Sequence, residues 1–202
     1  QDSAYEMQRS IIVTLRLPRT IIAGLTGIGL SLSGLLYQEI FQNKLVSPDL
    51  LGVSAGASVG AAIAILLGMS SAFVSLFAFV LGVVTVFITL LISRLFKNSS
   101  QTILLLSGII VGGFMSSLLA IIKYCADPES TLTTITYWLM GSFENSKMTD
   151  VYVLLPIIAF CSIVLIILSF RVGAMAMGKE QAQTKGINYT FYKMLFIGIE
   201  PE

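Results

Sequence analysis

Histidine is missing from the chain, and charged side chains are scarce. Among 202 residues, Lys and Arg number 12 and Asp and Glu number 11. Charged residues therefore make up 11% of the chain, against roughly 25% in an average soluble domain. Without histidine, imidazole-based catalysis and imidazole metal ligation are excluded. We also expect no metal site and no cofactor in this chain.

The other scarcities narrow the class of protein further. Two cysteines cannot build a disulfide scaffold. A net charge of +1 supplies no field that would attract phosphates, so no nucleic-acid partner is expected. Apolar residues make up 55% of the chain, and the mean hydropathy is +0.89. A disordered chain needs low hydrophobicity and high charge, so disorder is excluded as well. The class that remains is an integral membrane protein in contact with lipid.

Long charge-free runs predict the fold. A helix that crosses a hydrocarbon core about 30 Å thick needs roughly 20 apolar residues. Runs of this length predict an all-α, polytopic membrane helix bundle of about five transmembrane helices plus short interfacial and cytoplasmic helices. The predicted spans are residues 20–40, 52–68, 72–93, 102–123 and 151–170. The segment 130–143 is too short to cross and predicts an interfacial or re-entrant helix.

Small residues recur within spans whose interiors carry no Asp, Glu, Lys or Arg. The missing charge disfavours a proton relay, a coupled-ion site and a membrane enzyme. Glycines are spaced four residues apart at Gly52, Gly56 and Gly60, and again at Gly108 and Gly112. Such spacing allows two helices to approach closely in lipid. Helix packing and room for a bulky solute both explain the pattern, and both readings remain open.

Basic residues give a weak prediction of orientation. Five Lys or Arg lie on the side of the N-terminal segment and seven on the other side, which is therefore predicted to be cytoplasmic. Arg16 and Arg19 then lie on the external side, next to the first span. Interfacial snorkelling explains this position, and so does a docking site for carboxylates of an external partner.

Four segments, in this order and with predicted spans between them, carry a family resemblance. They are RLPR at 16–19, NKLVSPDLLGVSAGA at 43–57, YWLMGSF at 137–143 and GKEQAQTKGI at 178–187. The chain resembles the permease subunits of FecCD-type ABC importers, which take up iron-siderophores, haem and cobalamin. Members of this family have ten spans. This chain resembles spans two to six and the start of the seventh, so it is expected to be a fragment of a longer permease.

The resemblance implies a single transmembrane permease domain over residues 1–202, in the bacterial inner (cytoplasmic) membrane. The implied function is uptake of an iron-siderophore-type metal chelate. The implied partners are a second permease subunit, as a homodimer or heterodimer, two cytoplasmic ATPase subunits and an extracytoplasmic substrate-binding protein. ATP hydrolysis would belong to the ATPase subunits, so this chain is not expected to be an enzyme. A secondary transporter and a non-transport membrane scaffold remain the alternatives.

Three candidate sites follow from the resemblance, residue by residue. Arg16 and Arg19 match external arginines that receive acidic side chains of the binding protein, with Pro18 expected at the start of the helix. The segment of about 172–190 matches the cytoplasmic region that couples to the ATPase, and its candidate residues are Gly178, Glu180, Ala182 and Gly186. The gate and pathway candidates are Asn43, Ser54, Gly56, Ser58, Gly112 and Ser116.

Overall fold

The described part of the chain is mostly helical. The computed structural model of the protein describes residues 2–41, 43–44, 46–95, 101–144 and 146–176, and no strand occurs among them. The helices are α1 (Asp2–Ile11), α2 (Leu17–Phe41), α3 (Val53–Leu66), α4 (Ser71–Leu95), α5 (Gln101–Cys125), α6 (Thr131–Met140) and α7 (Met148–Ala176). A π-helical turn, Ile12–Arg16, joins α1 to α2, and a 3-10 turn, Pro48–Leu51, precedes α3. The all-α prediction is confirmed.

Among the described residues, four helical segments are long and apolar enough to cross a membrane. They are Arg9–Glu39, Ser71–Leu95, Thr102–Cys125 and Met148–Ile167. The predicted second span, 52–68, is wrong in length, because α3 has only 14 residues, or about 21 Å of helix. Gly52 and Gly68 take left-handed backbone angles, φ 79° and 66°, and they bound this helix on either side.

One compact unit contains α3 to α6. Helix α3 packs against α4, α5 and α6, and the side chains of Val59, Ala61 and Ala64 are fully buried. The apolar residues in the middle of α3 are therefore covered by protein, although Leu66 at its end is exposed. Hydropathy alone does not distinguish a run that packs against protein from one that faces lipid, so this run predicted a span where a short, largely buried helix lies.

The other compact unit combines α1 and α2 with α7. Helix α7 has 29 residues and contains Pro156. It packs along α2, where a Cβ added at Gly29 would lie 3.0 Å from the Cδ1 atom of Ile158. The predicted short helix at 130–143 is confirmed as α6, which has ten residues and belongs to the first unit.

Candidate functional site

Arg16 and Arg19 lie inside a continuous helical segment. The N–H group of Leu17 donates to the carbonyl of Ile12, five residues earlier, which produces the wide π turn. Pro18 has no N–H group, and its ring would collide with the carbonyl four residues earlier in a regular α-helix. The expected helix start at Pro18 is therefore wrong: the π turn accommodates this proline within the helix, and α1 precedes it.

The two arginines have different surroundings. Arg19 is half-buried, and its guanidinium donates from Nε at 3.1 Å and from Nη2 at 2.7 Å to the backbone carbonyl of Glu144. Arg16 is exposed, and its side chain makes no hydrogen bond or ion pair with the residues that the structure describes. Sequence reasoning treated the pair as equivalent, and it had no signal for the contact with Glu144.

The connection that carries Glu144 is held at several points. Gly141, with φ 72°, follows the last residue of α6. The N–H group of Glu144 donates to Ser142 Oγ at 3.0 Å. The N–H group of Lys147 donates to Asp150 Oδ2 at 2.8 Å, which is one half of a capping box at the start of α7. Arg19 thus binds a short, hydrogen-bonded connection that leads directly into α7.

Two of the gate and pathway candidates are packing contacts. Gly56 is buried, and a Cβ at this position would collide with the side chain of Thr85 on α4. Gly112 on α5 lies against Gly52, where an added Cβ would come within 3.2 Å of the Cα atom of Gly112. The glycine pattern therefore brings α3 close to α4 and brings the turn before α3 close to α5.

The remaining gate candidates are polar and at least partly accessible. Ser54 and Ser116 are exposed, Ser58 is half-buried and Asn43 is exposed between α2 and the 3-10 turn. Ser58 Oγ donates to the Ser54 carbonyl at 2.7 Å, and Ser116 Oγ donates to the Gly112 carbonyl at 2.9 Å. These hydroxyls are satisfied within their own helices, so their oxygen atoms remain as acceptors for a solute or for water.

A buried row of hydroxyls on α4 was missed by the sequence reasoning. Thr85, Thr89 and Ser93 recur every four residues, and each is at most 1% exposed. Thr89 Oγ1 donates to the carbonyl of Leu51 at 3.1 Å, which anchors the 3-10 turn. The spacing was visible in the predicted third span and could have indicated a polar face turned toward protein.

A pocket of about 400 Å³ lies between the α3–α4 turn and α6. Its lining includes the side chains of Ser71, Ser130, Thr134 and Trp138, and no Asp, Glu, Lys or Arg is found among the described residues that line it. The pocket is therefore suited to neutral groups and offers no countercharge to an ion.

The coupling candidates Gly178, Glu180, Ala182 and Gly186 lie outside the described residues. The same holds for most of the segment 172–190, of which the structure describes 172–176 as the end of α7.

The fold and composition define an all-α, multi-pass membrane protein. The chain matches the model of the FecCD transport family over residues 1–199, and it belongs to that family. Together with the four apolar helices, this places it in the bacterial inner membrane as a multi-pass protein.

Named relatives cover nearly all of this chain. It is 33% identical over 191 residues to the molybdate import system permease protein MolB of Haemophilus influenzae. The aligned region covers 95% of this chain and 57% of MolB. It is 35% identical over 185 residues to a "Probable iron chelatin transport system permease protein" of Helicobacter pylori. The aligned region covers 92% of this chain and 56% of that protein. It is 30% identical over 197 residues to the cobalamin import system permease protein BtuC of Halobacterium salinarum, covering 96% of this chain and 52% of BtuC. The chain thus spans little more than half the length of these relatives.

A solved structure has the same fold. It is an inward-facing transporter assigned to the metal-chelate ABC type, with a TM-score of 0.85 and 33% sequence identity. The similarity covers 95% of this chain and 61% of that one.

Proposed function

We propose that this chain is part of the membrane-spanning permease subunit of an ABC importer that takes up an iron-siderophore-type metal chelate. The family match over residues 1–199 is the observation that carries the proposal. The similarity to a metal-chelate ABC transporter structure over 95% of the chain supports the same class. In this proposal the chain is a permease and not an enzyme, because ATP hydrolysis belongs to separate subunits.

The relatives bear names with three kinds of cargo: molybdate, an iron chelate and cobalamin. We choose the metal chelate because the relative with 35% identity and the matched structure both carry that description. The solute would pass the hydroxyls of Ser54, Ser58 and Ser116, beside the close-packed Gly56 and Gly112. Asn43 would lie near the cytoplasmic gate.

The proposed assembly contains a second permease subunit, two cytoplasmic ATPase subunits and an extracytoplasmic binding protein. The segment 172–190 would contact the ATPase, with Gly178, Glu180, Ala182 and Gly186 as contact residues. Arg16 and Arg19 would receive carboxylates of the binding protein. Exposed ion pairs contribute about 0–1 kcal/mol each, so this pair would chiefly steer and orient the partner.

Transport assays on the full-length permease test this function. The permease would be reconstituted in proteoliposomes with its ATPase subunits and binding protein, and loaded with ATP inside. We expect uptake of a radiolabelled ferric siderophore that requires ATP and persists when a protonophore collapses the proton gradient. Uptake that does not require ATP but stops when the protonophore is added would indicate a secondary transporter instead. Parallel assays with cobalamin and molybdate test the choice of substrate.

A further inference from the structure

The bond between Arg19 and Glu144 joins segments 125 residues apart in the chain. Both donors, Nε and Nη2, converge on one carbonyl oxygen, at 3.1 and 2.7 Å. Two donors on one acceptor fix the plane of the guanidinium as well as its position. The side chain of Arg19 is therefore held in one orientation before any partner arrives.

This contact leaves Arg19 able to bind a second acceptor. A guanidinium has five N–H bonds, of which two point to the Glu144 carbonyl, so three remain. The carbonyl is neutral and does not cancel the positive charge. A carboxylate can therefore bind the Nη1 side of Arg19 while the carbonyl keeps its place. Because the side chain is already ordered, such binding costs less conformational entropy than binding at a free arginine.

The acceptor lies next to the first turn of α7. The N–H group of Ser146, which lies two residues before α7 begins, donates to the carbonyl of Phe143 at 3.2 Å. The first turn of α7 is closed by bonds from Asp150 and Val151 to the carbonyl of Lys147. A force on the Glu144 carbonyl therefore acts on the start of a 29-residue helix that reaches toward the proposed coupling segment.

Arg16 offers the matching comparison. It lies three residues before Arg19 on the same helical segment and carries the same charge. It is exposed, and among the described residues no group binds its side chain. Among the described residues, no hydrogen bond joins the Arg16 side chain to the connection before α7. A partner that binds Arg16 therefore has no such bond through which it could act on α7.

We infer that Arg19 is a positioning residue that links partner docking to α7, whereas Arg16 serves docking alone. In the docked state Arg19 bridges the partner's carboxylate and the Glu144 carbonyl, which tightens the first turn of α7. The inference rests on the proposed docking function, because it assumes that the partner presents a carboxylate to this site.

Hydrogen–deuterium exchange of the full-length permease tests the link without any partner. The amides to follow are those of residues 146, 147, 150 and 151. Arg19→Gln should make them exchange about tenfold faster or more, since it removes a bond to a charged donor. Arg16→Gln should leave them unchanged. Glu144→Gln should also leave them unchanged, because the backbone carbonyl accepts the bond and the carboxylate does not.

A second variant covers the case in which Arg19→Gln does not fold. Arg19→Lys keeps the charge but replaces the two-pronged donor with a single ammonium group, so its exchange should be intermediate. Equal exchange in the wild type and in the Arg19 variants overturns the inference. Faster exchange in Glu144→Gln overturns it as well, because the contact would then be an ion pair between side chains.

Adding the binding protein of the same import system separates the inference from the docking proposal. In the wild type, we expect docking to slow exchange at these four amides several-fold, and in Arg19→Gln we expect no slowing. Docking that depends on the arginines but leaves this exchange unaltered, or speeds it, overturns the link and preserves the docking function. Equal binding by the wild type and both arginine variants overturns the docking function, and the partner-free exchange still decides whether Arg19 holds α7.

Discussion

The Thr89 hydroxyl donates to the Leu51 carbonyl at 3.1 Å, and both residues are buried. This bond attaches the 3-10 turn before α3 to the C-terminal half of α4. A buried carbonyl that lost its donor would have no water to replace it. Thr89 therefore secures the irregular backbone next to the proposed gate.

Replacing Thr89 with valine should lower the free energy of unfolding by about 1–3 kcal/mol, because it leaves the Leu51 carbonyl without a donor. Thr89→Ser keeps the hydroxyl and is the control. Thermal unfolding of the full-length protein in detergent provides the measurement. Equal melting temperatures for the valine and serine variants would show that this bond does not stabilise the protein.

Gly52→Ala should destabilise the protein more than Gly68→Ala. Both glycines have positive φ angles, 79° and 66°, which cost a residue with a Cβ roughly 1–2 kcal/mol. At Gly68 the added Cβ meets nothing within 4 Å, whereas at Gly52 it comes within 3.2 Å of Gly112. Because both variants carry the same backbone cost, the difference between their melting temperatures measures the effect of the close contact between residue 52 and Gly112. A larger loss at Gly68 would contradict the described contact with α5.

Gly56→Ala should destabilise the unit of α3 to α6, because the new Cβ would collide with Thr85. A core that must shift to admit extra atoms typically loses about 1–3 kcal/mol. Gly113→Ala is the control, since a Cβ there meets nothing within 4 Å in the described part of the chain. The comparison uses the detergent melting temperatures of the two variants. If both alanines are tolerated equally, α3 and α4 are not packed as described.

Ser93→Ala should be neutral or stabilising by up to about 1 kcal/mol, because its buried hydroxyl has no hydrogen-bond partner in the part of the chain that the structure describes. Ser107→Ala is the matched substitution: that hydroxyl is also buried, but it donates to the Ile103 carbonyl at 2.8 Å. We expect the melting temperature to be higher for Ser93→Ala than for Ser107→Ala. The reverse order would indicate that Ser93 has a polar partner in the assembled protein.

Reversing both charges, as Arg16→Glu with Arg19→Glu, should abolish docking of the binding protein. The new carboxylates would repel acidic side chains where the arginines attracted them. Arg9→Glu is the control, because Arg9 is an exposed cation on α1. Binding of the purified permease to immobilised binding protein is the measurement, and gel filtration checks folding. Unchanged binding by a folded double variant would refute the docking assignment.

Hydropathy predicted most of the helices because membrane insertion depends on local composition. The predicted spans 72–93 and 102–123 lie within α4 and α5, and each end agrees within two residues. A charge at the end of an apolar run costs too much to bury in lipid, so charges lie near the end of α4 and near both ends of α5, while the turn at Gly68 sets the start of α4. The family resemblance was likewise visible in short motifs, and the match over residues 1–199 confirmed it.

Local composition could not reveal which apolar residues face protein. The run 52–68 is as hydrophobic as a span, but it forms a short helix that three others cover. The roles of Gly56 and Thr89 likewise depend on partners from distant parts of the sequence.

The amino-acid sequence alone determined that this protein is a helical membrane protein of a recognisable permease family. Hydrophobic runs and short motifs consist of residues that are neighbours in the sequence, so they can be recognised without the tertiary structure. Tertiary structure alone decided that α3 is a core helix and that Arg19 reaches Glu144 while Arg16 remains exposed. Hydrogen bonds and close helix contacts require two segments to meet in space, and no local pattern specifies which segments meet.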